Sequence, residues 1–243
     1  MEIDSLRYAI ERTQTGILKT MSLCALVYAI DECVTSTGHF AQFRHSNSPE
    51  AFAAIAEQRK KSVVRLFNKW ILELFGEPVE SKFENRATCE DYSSLLRGMS
   101  STKARPALIY ADPPYTADHY SRYYHVLETL CLYDYPDSKG RGRYRQDRSN
   151  SGFSLRSKVS EEFKNLVNLS AKLGSDLLVS YTNDGMVPAS FITETCRSGY
   201  KHVEIRWKVR DHSNQGRSRD ACTSRKRHRR EYLIYCKGMK HHG

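Results

Sequence analysis

Residues Asp112-Pro113-Pro114-Tyr115 follow directly on the apolar run Ala107-Leu108-Ile109-Tyr110-Ala111. A short buried-strand pattern thus delivers a carboxylate, two prolines and an aromatic ring at its carboxyl end. Open α/β sheets place their ligand chemistry at that end of their strands. A carboxylate there can accept hydrogen bonds, and proline fixes φ and with it the direction of the neighbouring carbonyl. The plain alternative is a loop in which the two prolines simply stop the strand.

The motif resembles that of the amino-methyltransferases, which methylate an exocyclic amine of a base, and in particular their DNA adenine-N6 branch. The likeness extends from about residue 80 to 238. Asp112–Tyr115 runs into Thr116–Leu130, a Tyr- and His-rich stretch leading into a helix. Thr88–Leu96 resembles the acidic motif that ends the preceding strand, Asp176–Asn183 the next strand with its polar tip, and Arg230–Cys236 the late strand that closes the domain.

An adenine amine is a poor nucleophile, and acceptors aimed at its N–H bonds stabilise the positive charge that grows during methyl transfer. The resemblance assigns these roles to the Asp112 side chain and the Pro113 carbonyl, within the catalytic set Asp112, Pro113, Pro114 and Tyr115. It implies that Tyr115 stacks on a base rotated out of the duplex, with Tyr120 and Tyr124 lining its pocket. It also implies S-adenosylmethionine as the donor, with Asp91 and Asp112 on the cofactor side. The bland readings remain: Asp91 as a solvated acid, and Tyr120, Tyr123 and Tyr124 as one helix face packed into a core. His119 and His125 have no metal-ligand companions at useful spacing, so no metal site is expected.

A complete enzyme of this type carries a second signature, a strand followed by a glycine-rich turn F-x-G-x-G, where only glycine lets backbone approach the cofactor closely. The sequence does not contain it: Gly140-Arg141-Gly142 lies in a basic run, and Gly174, Gly185 and Gly199 are isolated. Motif order places the missing part before residue 1. The expected fold is therefore α/β and Rossmann-like, incomplete in this chain, with a helical segment over residues 1–80 and the catalytic region over 81–243. Without the glycine-loop strand, the strand before Asp112 would expose an apolar edge. The reading is one subunit of a split, restriction-modification type methyltransferase acting on double-stranded DNA, with a second subunit donating F-x-G-x-G. The rivals are a non-catalytic DNA-binding subunit and an RNA or N4-cytosine methyltransferase.

Composition agrees with a nucleic-acid partner. Lys and Arg number 38 against 28 Asp and Glu, a formal net charge of +10, which suits phosphate. Hydrophobic content of 40% supports a packed core. Met21–Ile30 is too short to span a membrane, and the seven cysteines show no C-x-x-C pair, so they read as reduced thiols of a cytoplasmic protein.

Along the chain, apolar periodicity predicts a helix over 4–36 and a second from Ser48-Pro49-Glu50 to about Phe75. Two basic loops, 137–158 and 208–230, are the candidate DNA contacts. The first offers Lys139, Arg141, Arg143 and Arg145; the second offers Arg217, Arg219 and Arg225 in a long hairpin between strands at 202–209 and 231–236.

Overall fold

The computed structural model describes residues 2–36, 39–41, 46–76, 82–102, 105–212 and 227–239. In chain order the helices α1 (Glu2–Thr13), α2 (Gly16–Cys33), α3 (Pro49–Arg59), α4 (Val63–Gly76) and α5 (Tyr92–Ser100) come first. Strand β1 (Leu108–Ala111) follows, then α6 (Tyr120–Tyr123), α7 (His125–Leu132), β2 (Ser138–Lys139) and β3 (Tyr144–Arg145). The last part holds α8 (Val159–Leu173), β4 (Asp176–Thr182), α9 (Ala189–Gly199), β5 (Tyr200–His212) and β6 (Arg227–Met239). These elements form two compact units, a helical one of Met1–Asn85 with Tyr120–Arg148 and a sheet unit of Arg86–His119 with Ser149–Gly243.

Both long helices expected near the amino terminus are broken. Gly16 takes a φ of +56°, in the left-handed region, so α1 and α2 are separate helices. Ser62 Oγ accepts a hydrogen bond from the Arg65 backbone N–H at 3.3 Å and restarts the chain as α4. At the head of α3, Ser48 caps through its side chain and Pro49 takes the first turn, as their order in the sequence predicts. The helical unit packs Ile10, Leu26, Ala29, Ile30 and Val63 into one core, with Trp70 and Leu130 against it. Arg7 is buried, and its guanidinium donates to the Leu130 carbonyl at 2.7 Å and the Cys131 carbonyl at 3.3 Å. It thereby satisfies the open carbonyls at the end of α7.

In the sheet unit the strand order is β1-β4-β6-β5. β1 and β4 run parallel, with Leu108 opposite Asp176 and Ala111 opposite Val179. β6 runs antiparallel to both β4 and β5. Alternate residues of β4 (Leu177, Val179 and Tyr181) are buried with Phe163 and Leu166 of α8, Ile192 and Cys196 of α9, and Ile234 and Cys236 of β6. That period of two is the mark of a strand with one face on a core. The opposite face is open: Leu108 is 48%, Tyr110 58% and Leu233 46% exposed. Among the described residues, β1 has a partner on one edge only.

One expected strand end is absent. Residues 84–89 are irregular, and Asp91 caps α5, accepting from the Ser93 backbone N–H at 2.9 Å and its hydroxyl at 2.6 Å. The segment Phe83–Glu90 has no alternating apolar pattern that a sheet could bury, whereas Asp91 offers an acceptor ahead of the apolar Leu95-Leu96.

Candidate active site

The carboxyl ends of the parallel strands β1 and β4 lie side by side, and Asp112, Tyr115, Ser180, Asn183 and Asp184 gather there. β1 ends at Ala111, so Asp112 is the first residue beyond the ladder, with an exposed side chain. Pro113 is buried beneath it and Pro114 half-buried. A proline has no N–H to leave unsatisfied in such a place, and burial of its ring pins the carbonyl beside Asp112.

Tyr115 folds back over this turn. Its hydroxyl donates to Asp112 Oδ1 and lies 3.4 Å from Ser180 Oγ. Its carbonyl accepts from the Met186 N–H at 3.1 Å. Its ring meets Tyr181 edge to face, with centroids 5.7 Å apart and planes at 87°. Tyr181 is in turn edge-on to Phe163 at 5.4 Å, and its hydroxyl accepts from the Val187 N–H at 3.3 Å. Burial raises the Tyr181 phenol above its ordinary value, so it stays protonated.

The segment after β4 is the second wall. Gly185 passes so close to Tyr181 that a Cβ there would lie 2.4 Å from the ring. Asp184 accepts from Thr182 Oγ1 at 2.6 Å and pairs with Arg229 at 2.7 Å. Burial pushes its carboxyl up, but the bonds from Thr182 and Arg229 outweigh this and hold it below the usual range. Asn183 Oδ1 accepts from the Arg230 N–H at 2.8 Å, and the Asn183 N–H donates to the Arg230 carbonyl at 3.0 Å. A rigid turn thus supports the Asp112–Tyr115 loop from β4. The sequence pattern points to the polar tip at Asn183, but not to Ser180, Asp184, Gly185, Met186 or Arg229. The available signal was the polar turn Thr182-Asn183-Asp184-Gly185 directly after a strand.

The other candidate residues are carried by other elements. Tyr120 and Tyr124 belong to the helical unit, where their exposed rings meet edge-on at 6.3 Å. Asp91 is the cap of α5, and hydrogen bonds from Ser93 keep its carboxyl below the usual range. Lys139, Arg141 and Arg143 are exposed on the β2–β3 hairpin. Arg143 has a φ of +52° and donates to Ser138 Oγ at 3.0 Å.

Arg145 corrects the expectation of a DNA contact. Its side chain is 3% exposed, and it pairs with Asp134 at 2.6 Å and Asp147 at 2.8 Å. Those bonds hold both carboxyls below the usual range. A buried guanidinium is kept only by such pairing, so Arg145 is a structural anchor. Arg217, Arg219 and Arg225 lie outside the described residues. No group of three metal-ligating side chains occurs among the described residues. No described helix is long and apolar enough to cross a membrane.

An exposed acid and a fixed carbonyl at the carboxyl end of a parallel strand form an acceptor pair for an N–H donor. The family model of the D12 class N6 adenine-specific DNA methyltransferases matches residues 2–187, which include the whole Asp112–Tyr115 loop and the segment supporting it. The chain belongs to that family.

The chain is 30% identical over 201 residues to modification methylase LlaI of Lactococcus lactis subsp. lactis, covering 81% of the chain and 29% of that protein. Over 106 residues it is 32% identical to type II methyltransferase M.FokI of Planomicrobium okeanokoites, covering 43% of the chain and 15% of that protein. Type II methyltransferase M.NlaIII of Neisseria lactamica is 29% identical over 107 residues, which is 43% of the chain and 29% of that methyltransferase. The D12-class chain therefore spans less than a third of the length of each of these curated relatives. No solved structure matches it.

Proposed function

We propose that this chain carries the acceptor half of a DNA adenine-N6 methyltransferase. It methylates a base rotated out of double-stranded DNA at a short specific site, in complex with a second polypeptide that supplies the F-x-G-x-G strand. The observation that carries this reading is Asp112-Pro113-Pro114-Tyr115 at the carboxyl end of β1, with the outer edge of that strand unpaired among the described residues.

In the proposed reaction Asp112 and the Pro113 carbonyl accept the two N–H bonds of the target amine. The lone pair is thereby localised on nitrogen, and the positive charge that builds there meets a carboxylate and a carbonyl dipole held in advance by Pro113 and Tyr115. The amine gives up one proton, passed to solvent by way of the Asp112 carboxylate, as its new N–C bond forms; the methyl–sulfur bond would break in the same step and the sulfur would leave as a neutral thioether. Tyr115 presents its ring to the base. S-adenosylmethionine, when bound, supplies the electrophilic methyl group. The residues present fit its acceptor side, with an exposed carboxylate at the strand end. Asp91 is the proposed contact to the cofactor, through whatever capacity its bonds to Ser93 leave. Lys139, Arg141 and Arg143 are proposed contacts to DNA phosphates.

The split-enzyme reading is supported by the sheet. An apolar strand with an open edge is a template for pairing, and β1 adds an open face, through Leu108 and Tyr110, to its open edge. A partner strand laid beside β1 would bury both through a large apolar interface of the obligate kind. Calorimetry with S-adenosylmethionine on the chain alone and on the reconstituted complex tests this. The chain alone should bind weakly and not methylate, and the complex should do both. Tight binding by the chain alone would overturn the split reading. Within the complex, Asp112→Ala should abolish methyl transfer while DNA affinity persists and melting falls by only about 2–4 °C, through the lost hydrogen bond from Tyr115; near-normal turnover would overturn the assignment of the site.

A further inference from the structure

The ladder between β5 and β6 is longer than the sheet that holds it. β4 pairs with β6 only as far as Thr182 opposite Glu231. β5 and β6 continue together through Val209–Arg230, Arg210–Arg229, Asp211–His228 and His212–Arg227. These four rungs form a two-stranded arm reaching on the order of 10 Å past the sheet at about 3.4 Å per residue. The register fixes its direction. β5 runs parallel to β1 and β4, so the arm leaves the sheet at the same carboxyl end where Asp112 stands.

The sequence that carries this arm is strongly basic. Residues 206–230 hold ten Lys and Arg against two Asp, a net +8 of the chain's total of +10. Its base also exposes an aromatic ring: Trp207 is 57% exposed, and the Arg230 guanidinium lies 5.0 Å from its centroid. An aromatic ring in solvent beside cations suits contact with a nucleic acid backbone and its sugars. The root is braced: Arg229 pairs with Asp184, and the Arg230 N–H is held by Asn183, both in the turn that supports Tyr115.

We propose that this arm is the principal double-stranded DNA grip of the chain, a β-ribbon seated against the duplex beside the catalytic loop. The major groove admits a two-stranded ribbon, and cations such as Arg206, Lys208 and Arg230 on its described strands supply the counterion release that drives such binding. Arg206 and Lys208 on one face, and Trp207 and Arg230 on the other, are its described contacts to the duplex. The Arg206 pairing with Glu204 at 2.6 Å is solvent-exposed and gives way readily to phosphate. The proposal rests on the DNA methyltransferase reading for its choice of ligand and deepens it by naming the surface that takes the duplex.

The test is fluorescence anisotropy of the full chain with a short labelled duplex of mixed sequence, titrated between about 50 and 200 mM salt. Arg206→Gln, Lys208→Gln and Arg230→Gln combined should lower affinity at least tenfold and reduce the salt slope by between about 1 and 2.7 log units, at 0.9 per phosphate contact. The three corresponding Lys or Arg exchanges should retain the slope, and Trp207→Ala should weaken binding without changing it. An unchanged slope and affinity in a triple variant that melts with the parent would overturn the proposal, as would preference for single-stranded RNA of equal length. Methylation by the reconstituted complex is measured in parallel. Arm-dependent duplex binding without methylation would sink the enzymatic reading alone; methylation with arm-independent binding would sink the arm alone.

Discussion

Replacing Tyr115 by Phe removes one oxygen and leaves the ring in place, so it separates the two things this residue does. The hydroxyl donates to Asp112 and makes a longer contact, 3.4 Å, to Ser180. A hydrogen bond to a charged group contributes about 1.5–3 kcal/mol net, and because Asp112 is exposed and water can replace the donor, about 1 kcal/mol is expected here. For a chain of 243 residues this is a fall in melting temperature of about 2–4 °C. The edge-on packing against Tyr181, about 0.5–1.5 kcal/mol beyond burial, survives in Phe and is lost in Tyr115→Ala. Turnover should divide the same way. If the ring stacks on the flipped base at about 1–3 kcal/mol, the Ala variant loses about 5- to 150-fold in methyl transfer. The Phe variant should stay within about threefold of the parent, since it also relieves Asp112 of a competitor for the target amine. Thermal melting and incorporation of labelled methyl groups into duplex DNA by the reconstituted complex give both numbers. A Phe variant as slow as the Ala variant would refute the division of labour, and a Phe variant that melts with the parent would refute the role of the hydroxyl in holding the loop.

Gly185→Ala places a methyl 2.4 Å from the Tyr181 ring and should cost about 1–3 kcal/mol through overpacking, with lower turnover, because that ring seats Tyr115; a neutral melting temperature would show that the segment yields freely. His125 is buried, and that burial, with the Arg148 charge adding to it, lowers its pKa, against a hydrogen bond involving Phe40 that raises it. The folded value therefore lies below the unfolded one near 6.5, so the contribution is complete above pH 6.5 and declines as pH falls through the folded value. Melting followed from pH 8 to 5 should show the parent losing stability that His125→Gln does not lose, and parallel curves would contradict it.

Much of the sheet unit is written locally. Ala107–Ala111 reads as a strand from its apolar run, 202–209 and 231–236 read as strand-like runs, and Asp176–Asn183 resembles a strand of the family; β1, β4, β5 and β6 stand there. The Asp112-Pro113-Pro114-Tyr115 loop is equally local, since its acid, its fixed carbonyl and its strand are contiguous. Helix existence was legible too, while the breaks at Gly16 and Ser62 were not, because the apolar stripe continues across both and only the backbone reveals the interruption. Tertiary structure decided the rest. Arg145 sits in a run of basic residues and looks like its neighbours in one dimension; Asp134, eleven residues away, and Asp147 remove it from the surface. Asp91 could end a strand or cap a helix, and the lack of alternating apolar residues before it leaves no sheet to receive a strand. The order β1-β4-β6-β5 and the arm that outruns β4 depend on hydrogen bonds between residues far apart in sequence. Side-chain period states that a segment is a strand, but pairing partner and register are set by which distant edges can share one buried face.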